Sequence, residues 1–164
     1  MSNCWWVVAT KEPDNWTWDN FFSDPNNPKN WSWGQGEIES RISLKHIEEM
    51  QEKDIVICYQ GGKGIVGFTF IAHGGYSYKN RGKIDTFDLT NHIESIIKLK
   101  KPIPCSVIRK LPRAEDKFEF IKINLGTVFI VTAEGLDDVI YLAEKYNPNK
   151  KIKEFLEAHR LTPV

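Results

Sequence analysis

Residues 4–21 read Cys-Trp-Trp-Val-Val-Ala-Thr-Lys-Glu-Pro-Asp-Asn-Trp-Thr-Trp-Asp-Asn-Phe. From Cys4 to Thr10 the side chains are mostly β-branched or aromatic, and the run ends at a Lys-Glu-Pro-Asp turn, which predicts a strand. We expect this strand to be buried on both faces. Residues 11–36 then mix proline, glycine, asparagine and tryptophan without periodicity, which predicts a long irregular segment of the kind that carries function in a compact domain.

All six tryptophans lie within the first 33 residues. They form three groups: Trp5-Trp6, Trp16-Thr17-Trp18 and Trp31-Ser32-Trp33. One tryptophan buries on the order of 200 Å² of ring, so one or two rings are enough to anchor a core. Residues i and i+2 of a strand share a face, so each Trp-x-Trp pair is explained either as core or as a stacking site. The flanking amide side chains favour a stacking site, because a base gains about 1–3 kcal/mol per aromatic contact while amides read its edge.

The rest of the chain predicts alternating strands and helices. An amphipathic helix begins at Ile38 and ends near Lys53. Two strands, 54–60 and 64–73, are joined by Gly61-Gly62-Lys63, which is a hairpin signature rather than a phosphate loop because it lacks the Walker spacing. The later predicted elements are a strand over 95–100 stopped by Pro102 and Pro104, a helical turn over 106–110, a strand over 127–132, a helix over 133–146 and a polar helix over 150–159.

The charge is balanced overall but divided along the chain. The 22 basic and 22 acidic residues cancel, yet residues 1–60 hold 5 Lys/Arg against 10 Asp/Glu, and residues 79–117 hold 10 against 5. A local basic surface is enough to bind phosphates. The candidate phosphate-binding residues are Lys79, Arg81, Lys83, Arg109, Lys110 and Arg113. An ordinary solvated face explains the same residues equally simply.

Composition excludes several classes of protein. The 164 residues, 41% of them hydrophobic, suit one domain, and neither a membrane span nor a secretory leader is encoded, so we expect a cytoplasmic protein. Three widely spaced cysteines argue against disulfides or a zinc site and predict buried free thiols. The four histidines show no metal-binding spacing, and no nucleophile elbow occurs. We therefore expect no cofactor, no metal and no enzymatic activity.

The order of several motifs resembles the EVE domain of the PUA-like superfamily. The opening from Trp6 to Phe21 resembles that family's strand, Lys-Ser-Glu-Pro-Asp turn and Ser-Trp-Asp segment. Further similar motifs are the Trp-Gly loop at 31–34, the strands at 54–59, 64–67 and 126–132, and Pro-Ile-Pro-Cys-Ser at 102–106. The resemblance implies an α/β (α+β) fold, a small mixed β-barrel of five to six strands with peripheral helices. This domain would occupy residues 1–146, followed by a helical extension or linker over 147–164.

EVE domains are similar to YTH domains, which hold N6-methyladenine in an aromatic cage, and to the DNA-reading domains of some McrBC-type restriction systems. The resemblance implies a reader that holds a flipped N6-methyladenine or 5-modified cytosine of DNA. The implied residues are Trp33 or Trp31 as one wall of the cage, Tyr59 at its floor, Lys11, Trp18 and Gln35 near its rim, and Tyr76 or Tyr78 as the second wall. The family's usual Arg-Asn after the Trp-Gly loop is replaced by Gln35-Gly36-Glu37, which leaves the identity of the modification open.

Three other functions stay open at this point. The same fold suits an RNA-binding module, since nothing in the sequence distinguishes recognition of a 2′-hydroxyl. A small-nucleotide-binding protein or an enzyme would use the same cleft, with Lys11, Glu12 and Asp14 as acid-base candidates. A DNA reader would act with a nuclease or ATPase effector, fused or separate, as the targeting module of a modification-dependent restriction system.

Overall fold

The structure is a computed structural model of the chain. It describes residues 2–9, 17–25, 31–32, 41–76, 86–123, 126–149 and 151–160. At positions 31, 32, 41–44, 76, 86 and 160 it describes the backbone alone.

One sheet of seven described strands organises the molecule. The strands are β1 Cys4–Ala9, β2 Trp31–Ser32, β3 Ile55–Gln60, β4 Gly64–Tyr76, β5 Thr86–Leu89, β6 Ile97–Ile103 and β7 Val128–Val131. Their order across the sheet is β2-β5-β4-β3-β1-β7, with β6 paired to β4 off this path. The pair β1 and β3 is parallel, and the other recorded pairs are antiparallel. The mixed α/β class is confirmed, and among the described strands no pairing joins β2 to β7, so the sheet is open rather than a closed barrel.

Seven helices surround the sheet within the described ranges. They are α1 Trp18–Ser23, α2 Arg41–Glu49, α3 Cys105–Arg109, α4 Ala114–Lys117, α5 Glu119–Lys122, α6 Ala133–Tyr146 and α7 Ile152–Arg160. The prediction of an irregular segment over 11–36 is wrong at α1. Asn20 causes the difference, because its side-chain oxygen accepts the backbone N–H of Thr17 at 2.8 Å and so caps the first turn.

Strand β6 runs past the proline that was predicted to stop it. The sequence predicted an end near Lys100, whereas β6 includes Pro102 and ends at Ile103. Among the described strands β6 pairs only with β4, and proline is tolerated in such an edge strand because its missing N–H is not needed for pairing. The side chain of Asn147 covers part of the free edge, because its Oδ1 accepts the Lys101 N–H at 2.9 Å and its Nδ2 donates to the Lys101 carbonyl at 3.1 Å.

The sheet separates two hydrophobic clusters. Trp6 lies in the cluster that helices α6 and α7 cover, and Trp5 and Val7 lie in the cluster on the opposite face. Strand β1 is therefore buried on both faces, as its sequence predicted. The thiols of Cys4 and Cys58 are free and buried, and that of Cys105 is free and partly buried.

The C-terminal helix packs on the domain core. Its Ile152 and Leu156 are 0% and 1% exposed and belong to the same cluster as Trp6. The proposed boundary after residue 146 does not coincide with a break in the core, because α7 shares that core with α6. Ile152 and Leu156 therefore contribute to the domain core, while the division at residue 146 stays a prediction.

Leu156→Ala tests this attachment. Removal of a buried leucine side chain costs about 2–5 kcal/mol, so we expect a fall of that size in the free energy of unfolding, measured by urea denaturation. Glu157→Ala, at the exposed neighbouring position, is the matched control and should change stability by less than about 0.5 kcal/mol. Equal stability of the two variants would mean that α7 is detached from the core in solution.

Candidate ligand site at the edge of the sheet

The parallel pairing of β1 and β3 brings the C-terminal ends of these two central strands together, and we call this end of the sheet the β1–β3 edge. Ala9 and Gln60 are register partners, and the backbone N–H of Gly61 donates to the carbonyl of Ala9 at 2.8 Å. Helix α1 begins at this edge, because the side chain of Gln60 accepts the N–H of Trp18 at 2.9 Å. Carboxyl ends of parallel strands are a common position for ligand sites in mixed sheets.

A cavity of about 240 Å³ lies at this edge. It is lined by Thr17, Asp19, Gln60, Gly61, Gly62 and Lys63. The described residues Ala9 and Thr17 both lie at this edge, because Ala9 bonds to Gly61 and Thr17 is part of the lining. The volume falls below the about 300–1,000 Å³ of pockets for drug-sized ligands, so the cavity suits a small ligand or one group of a larger one.

The turn between β3 and β4 has the hairpin conformation that its glycines predicted. Gly62 and Gly64 have φ of 82° and 113°, values that favour glycine. Gly64 also lies against β6, where an added Cβ would come within 2.1 Å of the Ile103 carbonyl oxygen. The turn is therefore fixed against β6 and forms one wall of the cavity.

Trp18 lies behind the cavity rather than at its rim. Its side chain is 0% exposed, and its indole N–H donates to the carbonyls of Val7 at 3.2 Å and Tyr59 at 3.0 Å. The sequence suggested a ring near the rim, but a ring this buried offers no open face in this structure. Trp18 instead fastens α1 to the ends of β1 and β3.

Tyr59 lies on the opposite face of the sheet from Trp18. Its ring stacks on Trp6 with 5.0 Å between centroids, within the cluster that Trp6 shares with Phe120. Side chains alternate along a strand, so Tyr59 and its neighbour Gln60 face opposite sides of β3. The rings of Tyr59 and Trp18 therefore do not share one cage in this structure.

The Tyr59 hydroxyl is held in its protonated form. Burial raises the pKa of Tyr59 to about 12, and the neighbouring Cys105 thiol adds to the increase, while Arg109 opposes it. The Arg109 guanidinium lies over the Phe120 ring, 5.3 Å from its centroid. At neutral pH the hydroxyl is thus a neutral hydrogen-bonding group beside a cation.

Asp19 carries the negative charge of the described cavity lining. Its two carboxylate oxygens lie 3.3 Å from Nζ of Lys63 and 3.4 Å from Nζ of Lys98. Partial burial raises the pKa of Asp19, but hydrogen bonds and charge from the two lysines outweigh it, and the net pKa is lowered. Sequence reasoning placed Lys98 in the basic stretch but did not group these three residues, which lie far apart in the chain and meet only where α1, the hairpin turn and β6 converge.

The other predicted cage residues lie elsewhere or outside the described residues. Lys11, Trp33, Gln35 and Tyr78 lie outside them, and at Trp31 and Tyr76 only the backbone is described. The backbone places Trp31 on β2 opposite Phe87 and Tyr76 on β4 opposite Thr86. Strands β2 and β4 thus flank β5, about 10 Å apart by the usual strand spacing. Tyr76 is at the end of β4 away from the Gly61–Lys63 turn, so the described residues do not join these positions to the cavity.

Three of the predicted phosphate-binding residues are described. Arg109 and Lys110 are exposed at the end of α3, and Arg113 is exposed with Nε 3.4 Å from Asp116. Lys79, Arg81 and Lys83 lie outside the described residues. Lys117, a further member of the basic stretch, is used structurally in an ion pair of 2.7 Å with Asp138.

Comparison with solved protein structures identifies the fold. No family model matches the chain, and no curated protein sequence matches it. Solved structures do match: protein Rpa0253 from Rhodopseudomonas palustris is 22% identical, with a TM-score of 0.68 over 90% of this chain and 95% of that one. Human THYN1 in complex with DNA containing 5-methylcytosine is 15% identical, with a TM-score of 0.67 over 87% of this chain and 98% of that one. The DUF55 domain of human thymocyte nuclear protein 1 is 13% identical, with a TM-score of 0.67 over 85% and 98%.

These similarities establish the architecture. The present chain shares the mixed α/β fold of these solved structures, the DUF55 domain among them, over most of its length. Within the described residues no helix is long and apolar enough to cross a membrane. No group of three potential metal-binding side chains occurs in that part of the chain either.

The raised pKa of Tyr59 has a measurable effect on stability. Between the unfolded value of about 10 and the folded value of about 12, the folded chain keeps a proton that the unfolded chain has released. The free energy of unfolding therefore falls as pH rises through this window. We expect Tyr59→Phe to lose less stability than the parent there, measured by urea unfolding at a series of alkaline pH values. Parallel losses in the two proteins would contradict the buried position of the phenol.

Proposed function

We propose that the chain is a non-catalytic reader of a modified base in DNA, holding one flipped methylated base. The observation that carries the proposal is the shared fold with THYN1, whose structure is a complex with DNA containing 5-methylcytosine. That similarity makes a 5-modified cytosine the first candidate ligand, with N6-methyladenine as the second. The proposal places the base in the cavity at the ends of β1 and β3. The aromatic cage of Trp31, Trp33 and Tyr76, with Lys11 and Gln35 at its rim, is a separate candidate position for the base.

The cavity supports recognition of a single base. Its volume of about 240 Å³ fits one extruded base better than a larger ligand. Extruding a base costs a few kcal/mol, which stacking, hydrogen bonds and phosphate contacts have to offset. Trp16 and Trp33, which lie outside the described residues, are the proposed stacking rings.

Exposed cations support contact with the phosphates. Lys100 and Lys101 on β6 and Arg109 and Lys110 on α3 are exposed, and no described carboxylate lies within 4.0 Å of their charged groups. Cations that are not neutralised within the protein can release counterions from DNA, which makes affinity depend steeply on salt. Arg113 would join them by exchanging Asp116 for a phosphate. A reader of this kind would work in the cytoplasm as the targeting module of a restriction system, with a fused or separate nuclease or ATPase.

A titration with matched oligonucleotides tests this function. One short duplex carries N6-methyladenine, 5-methylcytosine, 5-hydroxymethylcytosine or no modification, and RNA of the same sequence is titrated beside it at fixed salt. We expect at least tenfold tighter binding of one modified DNA, equal to about 1.4 kcal/mol. Trp31→Ala and Trp33→Ala should abolish that preference if the cage holds the base and should keep it if the cavity does. Tyr141→Ala, which removes an exposed ring of α6, should keep it in either case.

Three results would contradict the proposal. Equal and weak binding of every oligonucleotide would leave only a basic surface. Tighter binding of RNA would indicate an RNA-binding module, and conversion of a modified nucleotide into a product would indicate an enzyme. Unchanged preference in correctly folded Trp31→Ala and Trp33→Ala proteins would remove the cage assignment alone.

A further inference from the structure

Asp19 has a position that the proposed cage does not explain. It lies in the first turn of α1, lines the cavity and is about half exposed, with 50% of its side chain accessible. The ion pairs with Lys63 and Lys98 join it to the hairpin turn and to β6. The carboxylate is thereby fixed at the cavity from two sides.

The other polar side chains of the cavity are already engaged. The Gln60 carboxamide accepts from Trp18 N at 2.9 Å and donates to the Ala9 carbonyl at 3.5 Å. The Thr17 hydroxyl donates to Asn20 at 3.0 Å. An ionised carboxylate only accepts hydrogen bonds and has about four lone-pair directions, of which the two lysines use two. Asp19 is therefore the strongest acceptor that the described lining offers a ligand.

We infer that Asp19 reads the exocyclic amino group of the bound base, and that Lys63 and Lys98 bind the phosphates beside it. This inference rests on the proposed function and names the chemical group by which its cytosine-type or adenine-type base is recognised. Both carry an amino group where thymine, uracil and hypoxanthine carry a carbonyl. A carbonyl oxygen facing the carboxylate would leave two acceptors opposed and unpaired, which a site built for hydrogen bonding rejects.

The two lysines connect base reading with backbone binding. In the free protein both lysines pair with the single carboxylate of Asp19, so the group keeps one net positive charge. Their side chains are more than half exposed, 57% for Lys63 and 60% for Lys98. Phosphate is a strong competing partner for an ammonium group. When an amino group takes up lone pairs of Asp19, the lysines can turn towards the flanking phosphates without moving the backbone of α1 or β6.

The test uses single-stranded DNA, so that the cost of breaking a base pair is absent. One oligonucleotide carries 5-methylcytosine and its partner carries thymine at the same position. The two bases differ in the amino or carbonyl group at C4 and in the proton that thymine carries on N3. A second pair carries adenine or hypoxanthine, and the two pairs distinguish cytosine-type from adenine-type ligands. We expect the parent protein to prefer the amino base of at least one pair, and Asp19→Asn to reduce that preference about tenfold.

The variants separate base reading from charge. Asp19→Asn frees two lysines, so its affinity for unmodified DNA should rise while its preference falls. The double variant Lys63→Gln, Lys98→Gln should weaken binding of all four oligonucleotides alike and reduce the salt slope by about 0.7 per lysine. Asp24→Asn, at the other end of α1, is the matched control and should keep the parent preference.

The failures of the inference and of the proposed function are distinguishable. If the parent prefers modified DNA and the folded Asp19→Asn protein keeps the full amino preference, the inference is overturned and the reader function stands. If the parent does not distinguish modified from unmodified DNA, both are overturned. Thermal unfolding verifies each variant, and Asp19→Ser replaces Asp19→Asn in the test if the latter does not unfold cooperatively.

Discussion

The parallel pairing of β1 with β3 is the contact on which the rest of the structure depends. The two strands are far apart in sequence but pair in register from Cys4 opposite Ile55 to Ala9 opposite Gln60. Asp54 fixes one end, because its buried carboxylate accepts the backbone N–H of Asn3 at 3.0 Å and the Trp5 indole N–H at 2.9 Å. Charge-assisted hydrogen bonds of this kind are short and strong. Trp18 and Gln60 fix the other end.

This pairing explains why tryptophans are concentrated near the start of the chain. Trp5, Trp6 and Trp18 are all at most 1% exposed. Trp6 lies in the cluster on one face of the β1–β3 pair, and Trp5 and Trp18 lie in the cluster on the other. Trp5 and Trp18 also donate indole N–H groups, so they orient the strands as well as fill the core. The described tryptophan side chains are therefore core residues, and the surplus that favoured a stacking site is reduced to Trp16, Trp31 and Trp33.

The sequence predicted the long and periodic elements well. Helix α6 has the bounds that its apolar spacing gave, and the β3–β4 hairpin follows from two β-rich runs around a glycine turn. The short elements were not predicted, because contacts outside their own sequence stabilise them. The six residues of α1 depend on a cap from Asn20 and on the burial of Trp18. The four residues of β5 depend on pairing with β4. Secondary structure this short carries too few residues for a periodic pattern.

The site was less predictable than the fold. The resemblance suggested Tyr59 and Trp18 as members of one cage, but alternation along β3 and the burial of Trp18 put their rings on opposite faces of the sheet. The ion-pair cluster of Asp19, Lys63 and Lys98 could not be predicted, because no local sequence pattern indicates that α1, a hairpin turn and the edge strand β6 meet. Such convergence depends on the register of strand pairing, which is decided by the packing of both faces.

The most direct test of the central claim, that the edge formed by β1 and β3 is the ligand site, is backbone amide chemical-shift mapping by nuclear magnetic resonance. The labelled protein is titrated with an oligonucleotide containing 5-methylcytosine and separately with its unmodified counterpart. The largest shifts specific to the modified base should fall on Thr17, Asp19 and Gly61–Lys63, which line the cavity. Modification-specific shifts confined to α6 and α7, with the cavity residues unchanged, would contradict the assignment of the site to this edge.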